Sequence, residues 1–171
     1  MRSLIRAILA LVLTAPLFAL VTAPAHADAV TSMDDSLYQR VNPATNVNLV
    51  TPWADEVNTA ASQYGYSTDL GTPFRASSTA VSGLTAVHRL WNATTVDFID
   101  ALEGSAALAA AKTAGYVDQG VRYYALAAAV SGRTEPVNSY IKSGKHRLAT
   151  AATGASLVNA GWKLDSVAFY M

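Results

Sequence analysis

Apolar and polar positions along this chain change period at regular intervals. The stretch "VHRLW" at 87–91 is apolar-rich and reads as extended, the mark of a strand. A turn follows at "NATT", and a second short extended run covers 98–100. The period then becomes helical through the alanine-rich "GSAALAAAKTA" and stops at Gly115, after which "YVDQGVRYYA" is extended again. Alanine's high helix propensity suits a helix packed close against a sheet.

This succession occurs three times, with Leu37, Val87 and Val137 opening the units fifty residues apart. The turns "NPAT", "NATT" and "KSGK" carry turn-forming residues, and the runs 47–50, 98–100 and 146–149 complete a hairpin in each unit. In the first unit Thr51 is placed to cap a helix with Pro52 at its first position. In the second, "DALE" at 100–103 has the spacing of a capping box, and the helix dipole favours its acids. Gly65, Gly115 and Gly161 supply the left-handed residue that ends each helix. An aromatic follows each of them (Tyr66, Tyr116, Trp162), and a last strand ends in "PFRA", "RYYA" or "AFYM". The connectors "AVSGLTAV" and "AVSGRTEPV" also match, and the third unit is a few residues shorter.

A single β-β-α-β unit cannot bury its apolar face, so three of them imply mutual packing. The expected fold is α+β: three β-β-α-β repeats in a pseudo-threefold, trefoil-like closed arrangement, which would also remove exposed sheet edges. The expected boundaries are one domain over 37–171, with units 37–79, 80–128 and 129–171, preceded by a flexible lead-in at 28–36. Tyr66, Tyr116, Trp162, Phe74, Tyr123 and Phe169 recur at equivalent positions and are read as a shared core, with Trp91 beside them.

Residues 1–27 have the form of a secretory signal. Arg2 and Arg6 precede an apolar run at 7–21, and "AHA" at 25–27 fits a cleavage site. The run is shorter than a comfortable membrane span. The expectation is therefore a secreted, extracellular protein with no membrane segment after cleavage. The chain has no cysteine, so neither a lipid-anchored cysteine nor a disulfide is available and stability must come from packing. Without Arg2 and Arg6, ten basic residues face twelve acidic ones, a net of −2. That balance gives no sign of nucleic-acid binding.

The units resemble a repeat family of secreted bacterial proteins, a domain of unknown function (DUF5648). Its pattern runs V-Y-R-L-Y-N-P-x-T-G-D-H-F-Y-T-T, then a helix ending A-G-W, then G-V-A-F-Y. The likeness is carried by "YQRVNPATNVNLVT", by "VHRLWNATTVDF" with "AGYVDQGVRYYA", and by "GKHRLAT" with "AGWKLDSVAFYM". The family's G-D-H is Asn46-Val47-Asn48, Val96-Asp97-Phe98 and Gly144-Lys145-His146 here, so no unit keeps all three residues. The resemblance implies a non-catalytic attachment or carbohydrate-recognition module outside the cell.

The residues agree in offering no catalytic set. There is no H-E-x-x-H, no G-x-S-x-G and no calcium-loop pattern. His88 and His146 sit at non-equivalent positions, no cofactor or metal motif is present, and "NAT" at 92–94 reads as a turn. Trp53, Tyr38 and Tyr124 lack aromatic equivalents in every unit and are candidates to face solvent. A sugar ring stacks on such a face while amides and charges bond its hydroxyls. The expected ligand site is therefore Trp53 with Asn46 and Asn48 of the first hairpin. Asp97, and Lys145, His146 and Arg147, of the other hairpins come second. The expected partner is a polysaccharide or cell-wall glycan. The alternative is a secreted protein partner that is bound or inhibited through a hairpin or connector.

Overall fold

The computed structural model describes residues 25–171. The expected signal segment lies outside the described residues up to position 24. The chain begins with α1 (Ala25–Ser32), whose Ala29, together with Met33 beyond the helix, is fully buried. Within residues 28–36, Ala29 and Met33 are part of the main core.

The first unit contains β1 (Asp35–Asn42), β2 (Val47–Thr51), α2 (Ala54–Gln63), β3 (Thr68–Asp69) and β4 (Phe74–Ala76). The second contains β5 (Thr85–Asn92), β6 (Asp97–Leu102), α3 (Ala106–Thr113) and β7 (Val117–Ala125). The third contains β8 (Pro136–Lys142), β9 (Lys145–Thr150), α4 (Ala151–Asn159) and β10 (Lys163–Tyr170). Each unit makes one antiparallel sheet with its opening strand in the middle: β2-β1-β3 with β4 also on β1, β6-β5-β7, and β9-β8-β10.

The expectation of an α+β class and a closed, trefoil-like arrangement is overturned. The protein is mostly β, with three antiparallel sheets, and none of them is closed. The sheets are joined by isolated bridges, Ser77 with Tyr124 and Leu126 with Tyr170, instead of a continuous ladder. The helices are short, and α2, α3 and α4 each pack over their own unit's sheet. What unites the sheets is side-chain packing. Leu37, Val87 and Val137 meet in one core with Phe74, Tyr123 and Phe169. Tyr66, Tyr116 and Trp162 are buried as expected, but in three separate clusters, each beneath its own unit's helix.

The turns follow from their residues. Asn42 Oδ1 accepts from the amides of Ala44 and Thr45, and Asn92 Oδ1 from those of Thr94 and Thr95. Their Nδ2 groups donate to the carbonyls of Tyr64 and Ala114 at the helix ends, and Lys142 Nζ does the same for Ala160. One side chain thereby fixes both the hairpin turn and the end of the following helix. The glycines after those carbonyls, Gly65, Gly115 and Gly161, have φ of 74°, 84° and 86°, the left-handed geometry that stops a helix.

Two helix starts differ from expectation. In the first unit the N-cap is Trp53, with no side-chain capping bond, and Thr51 Oγ1 instead accepts from the Trp53 amide. In the second, residues 100–102 continue strand β6, and the cap is Ser105, whose Oγ accepts from the Leu108 amide. Pairing with β5 carries the strand to Leu102, and Gly104 makes the break. Asp100 is therefore a strand residue.

Candidate functional site

Where the first sheet meets the second, a cleft of about 740 Å³ opens between the β1–β2 hairpin with α2 and the face of β5 that carries Arg89 and Trp91. Alternation along β2 decides which side chains reach it. Val47 and Leu49 face the cleft, whereas Asn48 and Val50 face the other way. Tyr64 and Tyr66 stand at its α2 end. Trp91 and Phe98 come from the second sheet with their rings 4.6 Å apart.

The floor is charged. Arg89 is only 2% exposed. Its Nη2 donates to the Val50 carbonyl at 2.5 Å, and its Nη1 donates to Glu56 Oε1 at 2.6 Å. Its cross-strand partner Asp100 lies with Oδ1 3.8 Å from Arg89 Nε, beyond hydrogen-bond reach. Burial pushes the Glu56 carboxyl up, but the hydrogen bond and charge of Arg89 outweigh this and hold it below its usual range. Burial drives Asp100 up to about 6, against the weaker opposing pull of Arg89. Burial also raises the Tyr66 hydroxyl to about 12.

Asp100 gives the fold a pH signature. A carboxyl whose folded pKa exceeds its unfolded one is protonated first in the native state. Stability contributed at this site is therefore highest near pH 4 and falls as the pH rises through about 6. In urea titrations the wild type is expected to lose roughly 2–3 kcal/mol more than Asp100→Asn between pH 4 and 7.

At the rim, the Arg122 guanidinium lies 5.7 Å from the Trp53 ring centroid, a cation–π distance. Arg122 lines the cleft, and its Nε has no hydrogen-bond partner. Trp53 itself is 41% exposed. Gln119 and Asn42 add amides to the lining.

The residues expected from the sequence are spread over several places. Trp53 is at this cleft's edge through Arg122. Asn46 is exposed at the hairpin turn, with φ of 59°. Asn48 is buried, and its Oδ1 accepts from Gln39 Nε2, which also donates to the Leu148 carbonyl. The Gln39 amide thus ties the first sheet to the third and holds Asn48 in place. Asp97 is fully buried and accepts from Tyr116 Oη, from the His146 amide and from His146 Nδ1. Lys145 Nζ donates to the carbonyls of Thr95 and Val96. Asp97, Lys145 and His146 therefore form the seam between the second and third hairpins. Arg147 lies 4.8 Å over the Trp162 ring. Tyr38 and Tyr124 are half-buried. Trp91, expected in the core, is partly exposed and walls the cleft.

Arg89, Glu56 and Arg122 escaped the sequence reading. One signal was available for Arg89: a charged residue two positions after Val87 occupies the inward phase of a strand. The contacts of Glu56 and Arg122 join different units and leave no local trace.

Among the described residues no helix is long and apolar enough to cross a membrane, and no three acids or histidines cluster in a way that could hold a metal ion. The family described as a domain of unknown function (DUF5648) matches residues 36–171, and the chain belongs to it. No curated protein and no solved structure matches the chain.

Proposed function

We propose that this DUF5648 member is a secreted recognition module that binds an extracellular or cell-wall glycan in the cleft between its first two sheets, without catalysing a reaction on it. The observation that carries the reading is the pairing of Arg122 and Trp53 over a cleft walled by Trp91 and Tyr66. Sugar rings present an apolar face that stacks on aromatics and a rim of hydroxyls that needs fixed polar groups. The cleft holds both kinds of group, and its volume lies in the range of small-molecule sites. Arg89 and Glu56 are already tied to each other, so they offer a ligand a preorganised polar floor. The amino-terminal pattern of residues 1–27 supports an extracellular setting.

The test is retention of the purified protein on insoluble peptidoglycan, chitin and cellulose. Retention on at least one is expected, and Arg122→Ala is expected to weaken it about tenfold, the loss of one or two hydrogen bonds and a stacked cation. Arg122 is only half-buried and its Nε has no hydrogen-bond partner, so the variant should keep its circular dichroism. No retention on any glycan would overturn the reading and favour a secreted protein partner.

A further inference from the structure

The second and third sheets enclose another cleft, of about 580 Å³, between α3 with β6 on one side and β8 with β10 on the other. Strand register shows how its chemistry departs from that of the first. By pairing, Val47, Asp97 and Lys145 are equivalent, and so are Asn48, Phe98 and His146. Where the first unit meets the second, Val47 and Tyr66 share a cluster, and Phe98 packs against it. Where the second unit meets the third, the same three places hold Asp97, Tyr116 and His146. An apolar contact has been replaced by a hydrogen-bonded one.

Asp97 is fully buried and well supplied with donors. Its Oδ1 accepts from the His146 amide at 2.9 Å. Its Oδ2 accepts from Tyr116 Oη at 2.8 Å and from His146 Nδ1 at 2.6 Å. Burial, helped by the bond to Asp97, pushes the Tyr116 hydroxyl up to about 12, so it stays a donor. The Tyr116 and His146 rings meet edge to face at 6.3 Å, which holds the imidazole's tilt. A carboxylate only accepts, so Nδ1 carries the proton and Nε2 of the neutral imidazole is an acceptor. Among the described residues Nε2 has no partner. His146 lines the cleft, and with Nδ1 turned to Asp97 the free nitrogen is the one offered to a ligand.

The surroundings are apolar: Ile99, Ile141, Ala107 and Ala110. The lining has no lysine or arginine, and of its two acids Asp100 lies beside Arg89 and Asp165 is exposed. We propose that this cleft binds a neutral molecule with an apolar body and one hydroxyl group. The hydroxyl donates to His146 Nε2, and the body lies between the alanines of α3 and the two isoleucines. The Ser139 hydroxyl, in the same lining, can donate to the ligand's oxygen, which a simple N–H donor would not offer. The volume lies in the range of small-molecule sites. The site is separate from the first cleft and does not depend on the glycan reading.

The probe is phenol, compared with anisole, which has the same ring and no hydroxyl proton. Chemical shifts of the backbone amides and of the His146 ring nitrogens follow each titration. Phenol should give saturable shifts in α3 and at 139–141, move the Nε2 resonance and leave Trp53 and Arg122 unchanged. Anisole should bind about tenfold more weakly, the fold-change for one hydrogen bond. Asp97→Val combined with His146→Phe rebuilds the apolar pair of the first junction, so it should fold and lose the preference for phenol. Absence of saturable shifts with phenol would overturn the proposal. So would equal affinity for anisole, an Nε2 resonance that does not move, or a preference for phenol kept in the double variant.

Discussion

Arg89→Ala is expected to cost about 3–5 kcal/mol of stability, the range for removing one member of a buried ion pair. The reason lies less in what Arg89 contributes than in what its loss leaves behind. Its guanidinium bonds Glu56 and the Val50 carbonyl and is the nearest cation to Asp100. Truncation leaves a buried carbonyl without its donor and a fully buried carboxyl with no compensating charge. It also unties β5 from β2, the one direct side-chain bond described between the first two sheets at that depth. Urea unfolding checks the size of the effect. Asp100→Asn in the Arg89→Ala background should restore part of the loss, because it removes the uncompensated acid. Independent, additive effects of the two changes would show that Asp100 does not depend on Arg89, since contacting residues couple and distant ones add.

The unit boundaries were legible because they rest on local chemistry. Gly65, Gly115 and Gly161 stop helices wherever the rest of the unit goes, and Asn42 and Asn92 shape their turns through their own side chains. Asp100 shows where local reading fails. Its spacing to Glu103 fits a helix start, yet β5 is available as a pairing partner and the strand wins. The mutual arrangement of the sheets was equally out of reach. Nothing within a unit encodes whether its edge meets a neighbour as a ladder or as isolated bridges.

The candidate site divides the same way. Trp53 stands out along the chain as an aromatic without equivalents, and it meets Arg122 at the cleft's rim. For Asn48 and Asp97 sequence gives the turn but not what strand pairing and the next unit bring against them. Asn48 meets Gln39, and Asp97 meets His146 from 49 positions away. Polar residues at the ends of hairpins are thus used to join sheets, which is what open sheets need. An amide or carboxylate that satisfies the neighbouring strand's exposed groups takes the place of the missing ladder.

Phe169→Ala should match Arg89→Ala in size, at about 3–5 kcal/mol for a large ring removed from a core that cannot collapse around it. Phe169 is fully buried, with its ring edge-on to Phe74 at 6.3 Å and to Tyr123 at 5.6 Å. The three rings belong to three different sheets, so the cavity would open where the sheets converge. A repeat protein that stacks only neighbours lets one unit unfold ahead of another. Here every unit contributes to one cluster, and loss of any ring should destabilise all three together. Trp53, Trp91 and Trp162 place one indole in each unit and report on this by fluorescence, with each retained alone in a variant. Coincident transitions at a lowered urea midpoint would show a single cooperative core. Transitions that separate in Phe169→Ala, with the third unit leading, would show that the units hold themselves up and that the shared aromatic cluster only joins them.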